Sequence, residues 1–459
     1  MNRRHFVTTT SAAGVGLVMP KFDFKLAYPL QLQKIKIGII GCGLRGQNHL
    51  ENLLDRNDVI IKAIADPDDI MNADSKKILQ SKSIQNVTYY NKGNDDYLNM
   101  LKKEDLDAVI IASPWEFHIA QAVAAIDAGV VPGVEVCGAN NLEDCWLIVN
   151  KSEQKKIPVM VLENVCYRRD IMAIHNMVKL GLFGELLHCQ GGYQHDLRRV
   201  KFNDGKSPYG LGVQFGEQGF SESKWRTPHS VKRNGDLYPT HGLGPVANML
   251  DINRGNRLTT ISSIATKSRG LHKYIVDSKL GGPDCPNAKV SFKLGDIVSS
   301  QIQTANGETI ILTHDTNSPR PYNLGFRVQG TEGIWQDNYA GGAADGMIYF
   351  EKLSEKKHKW ENSESFIKKY DHPLWKKFED KAEGSGHGGM DFFVLNAFIE
   401  ALKRKAPFPL DVYDLATWYA ITPLSELSIA QGGQLQQIPD FTNGKWQNRK
   451  NNFGIEAEF

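Results

Sequence analysis

Residues 34–46 read KIKIGIIGCGLRG, a short apolar run that passes directly into a loop with three glycines. The run is typical of a buried β-strand, and the residues after the loop are typical of a helix. Gly41, Gly43 and Gly46 would permit a tight turn, close approach of a pyrophosphate and close packing of the helix. The pyrophosphate charge would then meet the helix N-terminus. We therefore predict that this loop binds a dinucleotide.

The following strand supports the same prediction. Residues 59–66 read VIIKAIAD, which places Asp66 at the end of a second apolar strand, 20 residues after Gly46. A carboxylate at this distance from the loop typically bonds the ribose hydroxyls of the adenosine half. It favours NAD over NADP, because the 2′-phosphate of NADP would meet a like charge. The alternative is an ordinary strand-to-helix turn with a surface aspartate.

The alternation of strand and helix continues to about residue 165. Strands are predicted at residues 87–90, 107–113, 130–136 and 158–164. Helices are predicted at residues 116–128 and 142–154. Strands that alternate with helices predict a parallel sheet covered on both faces. Ligands of such sheets bind beyond the carboxyl ends of the strands. This places residues 113–118, Glu135, Val136 and Asn164 around one crevice.

From about Cys166 polar and apolar residues alternate, which predicts an antiparallel or mixed sheet. Its strands are predicted at residues 185–190, 258–265, 298–303, 308–313 and 325–329. We predict long loops over a site at residues 201–236 and a helix packing back on the first domain at residues 411–429. The predicted fold class is α/β, with an N-terminal Rossmann domain at residues 31–165 and a C-terminal α/β domain with an open mixed sheet at residues 166–459.

Residues 1–30 are predicted to lie outside both domains. The chain begins MNRRHFVTTTSAAGVGLVMP, in which Arg3, Arg4 and Phe6 precede a small, mildly apolar stretch. This composition is typical of a twin-arginine export signal, a route that carries proteins already folded around a cofactor. We expect a periplasmic protein. The alternative is a disordered start with two chance arginines and a cytoplasmic protein.

Composition excludes several functional classes. The 459 residues carry a net charge of only +2, which gives no basic face for nucleic acid. No apolar run reaches the length of a membrane span. The six cysteines form no CxxC pair, and His195 and Asp196 lack a second ligand cluster, so no metal site is predicted. An exposed sheet face favours a homo-oligomer.

Longer motifs are spread along the chain after residue 30, and the resemblance that they carry covers nearly all of it. The glycine loop, Asp66 and Glu135 resemble the glucose-fructose oxidoreductase, inositol dehydrogenase and MocA (Gfo/Idh/MocA) superfamily. One branch, the NAD-dependent α-N-acetylgalactosaminidases of glycoside hydrolase family 109, is more similar still. The motifs that carry this resemblance are GLRGQ at 43–47, SPWE at 113–116, ENVCYRRD at 163–170, GYQHDLR at 192–198, KWRT at 224–227, YPTHG at 238–242 and RPYN at 320–323.

The resemblance implies an α-linked glycan or small-molecule substrate, an NAD cofactor and a set of site residues. The implied sugar-binding residues are Tyr193, Arg226, Tyr238 and Tyr322, and the implied catalytic residues are His241, Tyr238 and Tyr193. The implied cofactor contacts are Gly41, Gly43, Leu44, Arg45, Gly46, Asp66, Trp115, Glu116, Phe117, His118, Glu135, Val136, Asn164, Tyr238, Pro239, Thr240 and His241.

A dinucleotide has no use in direct displacement at an anomeric carbon, but NAD-dependent glycosidases are known exceptions to the two-carboxylate mechanism. NAD⁺ would take a hydride from carbon 3 of the sugar, and the ketone would make the proton on carbon 2 acidic. Elimination would release the aglycone, water would add, and the hydride would return. We assign acid–base work at the carbon 3 hydroxyl to His241, since histidine titrates near neutrality. Tyr193 or Tyr238 would remove the carbon 2 proton.

Other interpretations remain open at this stage. His241 and His118 are structural histidines in one alternative, and the tyrosines and Trp115 are core aromatics. Residues 384–389, which contain His387, form either a second substrate-side loop or a turn. The competing functions are a plain NAD-dependent sugar dehydrogenase and a non-catalytic sugar-binding or dinucleotide-sensing protein. Superfamily members usually carry a catalytic lysine after Glu135, and Val136 in its place speaks against the dehydrogenase.

Overall fold

The computed structural model describes residues 34–137, 139–337 and 346–454, which belong to one compact unit that begins at Lys34. The predicted export signal at residues 1–30 lies outside the described residues. Among the helices that are described, none combines the length and the apolar character needed to cross a bilayer.

The first sheet has six parallel strands in the order β3-β2-β1-β4-β5-β6, which is the Rossmann order. Its strands are β1 (Ile35–Ile40), β2 (Val59–Ala65), β3 (Thr88–Tyr90), β4 (Ala108–Ile111), β5 (Val131–Val134) and β6 (Met160–Val161). The helices of this region are α1 (Leu44–Leu54), α2 (Asp69–Ser81), α3 (Tyr97–Lys103), α4 (His118–Asp127) and α5 (Leu142–Lys155). Ile37, Ile39 and Ile40 are at most 2% exposed, so β1 reads as a continuous apolar run because both faces of the sheet are covered.

The second sheet has nine strands in the order β14-β13-β12-β11-β7-β10-β9-β8-β15. They are β7 (Leu186–Gln194), β8 (Leu258–Ala265), β9 (Ile297–Thr304), β10 (Thr309–Asp315), β11 (Arg327–Gly330), β12 (Gly333–Gln336), β13 (Met347–Phe350), β14 (Glu361–Asn362) and β15 (Gln436–Gln437). Only β7 and β10 pair in parallel, so the sheet is mixed. One face of β9 is buried, which explains its alternating sequence.

The remaining helices cover this sheet and reach back to the first. They are α6 (Arg169–Lys179), α7 (Arg198–Lys201), α8 (Glu222–Lys232), α9 (Thr240–Met249), α10 (Gly270–Asp277), α11 (Glu364–Lys369), α12 (Pro373–Ala382), α13 (Met390–Arg404), α14 (Val412–Tyr419) and α15 (Ile421–Ala430). Tyr413 on α14 donates a 2.6 Å hydrogen bond to Glu153 on α5, and Tyr419 bonds the carbonyl of Glu135.

Two predicted segments differ from the structure. The region 201–236 is not all loop, because it contains α8 with Pro228 inside it. The single helix predicted at 411–429 is two helices, α14 and α15. Pro423 explains the break, since its ring would clash with the carbonyl four residues earlier and it has no N–H to donate.

Close backbone contact holds the start of α9 against β7. A Cβ on Gly242 would lie 2.3 Å from the backbone nitrogen of Gly192, and one on Gly191 would lie 2.3 Å from the carbonyl oxygen of Gly242. Only glycine permits such an approach. The contact places Tyr193 of β7 beside Tyr238 and His241, which flank the N-terminus of α9.

Candidate active site

The three glycines that follow β1 have different surroundings: Gly41 and Gly43 precede α1, and Gly46 lies in its first turn. Gly41 has φ +83°, and a Cβ there would lie 2.4 Å from the nitrogen of Ser113. A Cβ on Gly46 would lie 2.1 Å from the carbonyl oxygen of Gly41. A Cβ on Gly43 would meet nothing within 4 Å. Gly41 and Gly46 therefore close the turn and pack α1, while Gly43 leaves its backbone open to the pyrophosphate of a dinucleotide.

A cleft of about 480 Å³ extends from this loop past the end of β2. Asp66 lines it and is 8% exposed, and its two carboxylate oxygens accept backbone hydrogen bonds from Cys42 at 2.6 Å and Asp68 at 2.8 Å. Burial raises the pKa of Asp66. Each oxygen keeps a second lone pair for a ribose hydroxyl. The predicted cofactor contacts that line this cleft are Gly41, Gly43, Leu44, Arg45, Asp66, Glu116 and Phe117.

A second cavity, of about 240 Å³, adjoins the cleft and shares Arg45, Ser113 and Trp225 with it. We call it the active-site cavity. The predicted site residues that line it are Arg45, Trp115, His118, Glu135, Val136, Asn164, Tyr193, Arg226, Tyr238 and His241. Residues predicted separately for cofactor and for sugar therefore meet in one space next to the dinucleotide cleft.

Arg45 links the glycine loop to the strand end at Glu135 and to Asp391 of α13. Its Nε donates to Glu135 at 2.7 Å and its Nη1 to Asp391 at 2.8 Å, while Asn164 donates to the other oxygen of Asp391 at 2.8 Å. His49 also bonds Glu135 at 2.7 Å. Burial would raise the pKa of Glu135, but Arg45 and His49 hold it well below its usual range. The carboxylates of this network are thereby kept charged.

His241 forms a dyad with a buried carboxylate. Its Nδ1 lies 2.7 Å from Oε1 of Glu163, which is fully buried, while the histidine side chain is 13% exposed. The carboxylate favours the tautomer with the proton on Nδ1, which leaves Nε2 as an acceptor. This is the arrangement of a general base with an orienting partner.

Tyr193 and Tyr238 stack on one another beside this dyad. Their ring centroids are 4.2 Å apart, and His241 lies 5.4 Å from Tyr193 and 4.8 Å from Tyr238. Burial raises the pKa of Tyr193 to about 12 and that of Tyr238 well above its usual value. The guanidinium of Arg226 lies 5.5 Å from the Tyr238 ring and opposes both shifts. It is therefore the group that would help a tyrosine give up its proton.

Some predicted site residues do not line either cavity, and one that does has the hydrogen bonds of a structural residue. Gly46, Pro239, Thr240 and Tyr322 are absent from the described lining of the cleft and of the active-site cavity. Tyr322 packs against His195, with ring centroids 4.8 Å apart. His118 lines the cavity, but its two ring nitrogens each lie 2.7 Å from a backbone carbonyl, those of Cys137 and Ser113. That bonding fits the structural alternative for His118.

Several lining or supporting residues were given no site role by sequence reasoning. Glu163 stands beside Asn164 at the strand end, a position that could have marked it. His387 lines the active-site cavity, and its Nδ1 donates to the Asp391 carboxylate at 2.7 Å, which favours the substrate-side alternative for residues 384–389. The other lining residues without a predicted role are Ala112, His195, Leu197, Val200, Tyr209, Glu222 and Trp225. In the described ranges no cluster of three or more His, Cys, Asp or Glu could hold a metal ion.

Two family models match the chain. "Glycosyl hydrolase 109, C-terminal domain" matches residues 167–448, and "Oxidoreductase family, NAD-binding Rossmann fold" matches residues 35–161. A glycosyl hydrolase family 109 protein of Stenotrophomonas maltophilia (strain K279a) is 47% identical over 463 residues, which cover 100% of this chain and 99% of the relative. The α-N-acetylgalactosaminidase of Tannerella forsythia is 47% identical over 476 residues, which cover 99% of each chain.

Solved structures share the fold at lower identity. Levoglucosan dehydrogenase in complex with NADH has a TM-score of 0.65 and 20% identity, and the match covers 89% of this chain and 100% of that chain. An NAD-binding oxidoreductase from Klebsiella pneumoniae has a TM-score of 0.64 and 14% identity, with 89% and 99% covered. These likenesses concern the architecture of the two sheets.

Proposed function

The chain belongs to glycosyl hydrolase family 109 and carries an NAD-binding Rossmann domain, and from this premise we propose that it hydrolyses terminal α-linked N-acetylgalactosamine from glycoconjugates. It is an NAD-dependent glycoside hydrolase, and the sugar specificity is the proposed part. The Tannerella forsythia relative, named an α-N-acetylgalactosaminidase, supports that specificity.

One observation about the active-site cavity supports the NAD-dependent route to hydrolysis, and the name of the Tannerella forsythia relative supports the sugar specificity. Its described lining contains two carboxylates, Glu135 and Glu222, and each forms an ion pair with an arginine: Arg45 at 2.7 Å and Arg226 at 3.0 Å. A conventional glycosidase needs one carboxyl group as acid and another as base or nucleophile. Here the groups suited to proton transfer are the His241–Glu163 dyad and the tyrosine pair, and they adjoin the dinucleotide cleft.

The residues present fit NAD. The open backbone at Gly43 and the helix N-terminus of α1 would hold the pyrophosphate, and Asp66 would hold the adenosine ribose. Bound NAD⁺ supplies a reversible hydride acceptor for carbon 3 of the sugar, so that hydrolysis requires no net oxidation.

The chain itself supplies the proton transfers. His241 takes the proton of the carbon 3 hydroxyl at Nε2, and the Glu163 carboxylate stabilises the imidazolium that results. A member of the tyrosine pair, which has lost its own proton and is stabilised as a phenolate by Arg226, takes the proton of carbon 2. The glycosidic oxygen then leaves by elimination, and water added across the double bond replaces it.

The test uses p-nitrophenyl α-N-acetylgalactosaminide without added NAD. We expect p-nitrophenol release with no accumulation of NADH, and we expect His241→Ala to abolish turnover while NAD stays bound. NADH accumulating with oxidised sugar would instead identify a dehydrogenase. Near wild-type activity of His241→Ala would refute the role given to His241.

We further propose that the protein is exported by the twin-arginine route to the periplasm. The proposal is supported by Arg3, Arg4 and the following small, mildly apolar stretch. Replacing both arginines by lysine should retain the protein in the cytoplasm. A wild-type protein found in the cytoplasm would favour the cytoplasmic alternative, and a variant that is still exported would refute the twin-arginine route.

We also propose a homo-oligomer that forms through the open sheet. On the strand β8 and next to β15, Ile264 and Leu435 are 64% and 61% exposed, which supports a contact there. Ile264→Lys should lower the molar mass measured by light scattering to that of one chain. A wild-type protein that is already monomeric would rule the proposal out.

A further inference from the structure

A small internal cavity shares Tyr193, Tyr238 and Arg226 with the active-site cavity. Its volume is about 10 Å³, which is enough for a single molecule or ion of roughly the size of water. Trp115 and Leu197 are also common to the two cavities. The rest of the lining comes from α7, α8, β10 and nearby loops: Lys201, Ser230, Leu237, His314 and Thr316. This lining contains cations and hydroxyl groups but no carboxylate.

Lys201 is the most unusual member of this lining, because it is only 2% exposed. Its ammonium donates to two neutral oxygens, that of Thr316 at 2.8 Å and that of Asn317 at 2.6 Å. An ammonium has three N–H groups, so one remains. Within the described ranges no carboxylate lies within ion-pair distance of Lys201.

The nearby charges do not balance the two cations. Arg226 has Glu222 as its partner at 3.0 Å, and Glu222 does not line the small cavity. Asp315 ion-pairs with Arg320 at 2.9 Å. Asp296 accepts backbone hydrogen bonds from residues 269 and 270. One buried positive charge, that of Lys201, is left without a direct counter-charge.

Two further polar groups of the lining lack hydrogen-bond partners. They are Oγ of Ser230 and Nδ1 of His314, in side chains that are 1% and 2% exposed. A buried polar group without a partner destabilises the fold. Ser230 carries an O–H, and His314 carries an N–H in the matching tautomer, so both can donate a hydrogen bond to an acceptor held in this cavity.

We propose that this cavity binds a small monovalent anion such as chloride, held by Lys201, Arg226, Ser230 and His314. An anion accepts hydrogen bonds without donating any, which matches a lining that offers donors and excess positive charge. Burial lowers the pKa of Lys201 to about 7, and a bound anion would favour its charged form. Affinity for the anion should therefore rise as pH falls through about 7. The inference concerns binding and does not rest on the proposed glycosidase activity.

Bromide is the probe, because its anomalous scattering distinguishes it from water. Crystals of the full chain soaked in sodium bromide should show an anomalous peak between Lys201 and Arg226. In solution, bromide at constant ionic strength should raise Tm relative to gluconate and saturate, more strongly at pH 6 than at pH 8. An empty anomalous map in the wild type, or equal Tm in both salts, would overturn the proposal.

Three variants separate binding from general stability. Lys201→Met should remove the peak and the bromide-dependent rise in Tm. Ser230→Ala removes one donor and keeps the lysine, so it should weaken bromide binding even if Lys201→Met does not fold. Lys206→Met removes an exposed lysine of the neighbouring loop and should bind bromide like the wild type. Unchanged bromide affinity in both Lys201→Met and Ser230→Ala would also overturn the proposal.

Discussion

His241 and Glu163 are 78 positions apart in the chain and form one functional unit. The carboxylate orients the imidazole and stabilises its charged form, and the nearby backbone N–H of Val165 fixes the carboxylate itself at 3.0 Å. A neutral amide in place of the carboxylate would keep the shape of the dyad but lose its charge.

The variant Glu163→Gln tests this unit. We expect kcat to fall about 10- to 100-fold, as for other residues that orient a reacting group, while the amount of bound NAD stays that of the wild type. Steady-state kinetics and release of NAD on denaturation measure the two quantities. A kcat equal to that of the wild type would show that Glu163 does not support catalysis.

At the residue scale, sequence reasoning found His241 and the tyrosines through family motifs and not through local pattern. A single histidine after a proline carries little information by itself. The dyad with Glu163 and the stacking of Tyr193 on Tyr238 depend on the contact between α9 and β7, which is set by Gly191 and Gly242. That contact is tertiary, so it could not be predicted from spacing.

At the scale of elements, the glycines between β1 and the first turn of α1 allow a prediction. Gly46→Ala would put a Cβ 2.1 Å from the carbonyl of Gly41, whereas Gly43→Ala meets no protein atom within 4 Å. Gly46→Ala should therefore lower the free energy of unfolding by about 1–3 kcal/mol, since backbone must move. Gly43→Ala should fold normally but purify with less NAD.

Denaturant unfolding and the NAD content of the purified variants measure these effects. The two alanines are matched in size and lie three positions apart, so each serves as the control for the other. If Gly43→Ala lost as much stability as Gly46→Ala and kept its NAD, the open position at Gly43 would not be the one that the pyrophosphate approaches.

The elements themselves were largely predictable where one physical rule dominates. The strands β1 and β4 are buried on both faces over most of their length, as is the second half of β2, and they read as apolar runs. The strands β8, β9 and β10 alternate because one face is buried. The strands β12 to β15 have four residues or fewer and were not predicted, because they lie outside the regular alternation of strand and helix that identified the equally short β3, β4 and β6. The break between α14 and α15, which Pro423 in the first turn of α15 explains, was not predicted because the apolar pattern continues through it.

At the scale of the whole molecule, Asp391 of α13 joins this helix to the glycine loop. It accepts hydrogen bonds from Arg45 and from Asn164. Burial would raise the pKa of Asp391, but Arg45 and His387 hold it far below its usual range. A depressed pKa adds stability that is complete above the unfolded pKa of about 3.9 and is lost as pH falls through the folded value. Sequence reasoning could not predict this network, because it joins residues 45 and 391.

Asp391→Asn removes the charge and keeps the shape. We expect a loss of about 1.5–3 kcal/mol in the free energy of unfolding at neutral pH. The difference from the wild type should be constant above about pH 5 and shrink below about pH 4, where Asp391 of the unfolded wild-type chain begins to take up a proton while the folded carboxylate stays charged. Denaturant unfolding across this range measures it, and a difference independent of pH down to pH 2 would exclude the charge as its cause.

The central claim is that this chain breaks a glycosidic bond through temporary oxidation of the sugar, with His241 and a tyrosine moving the protons. Hydrolysis of an α-N-acetylgalactosaminide in heavy water tests it most directly, with the released sugar analysed by NMR. The account predicts deuterium on carbon 2 and no net NADH. Released sugar that keeps its original hydrogen on carbon 2 would contradict it.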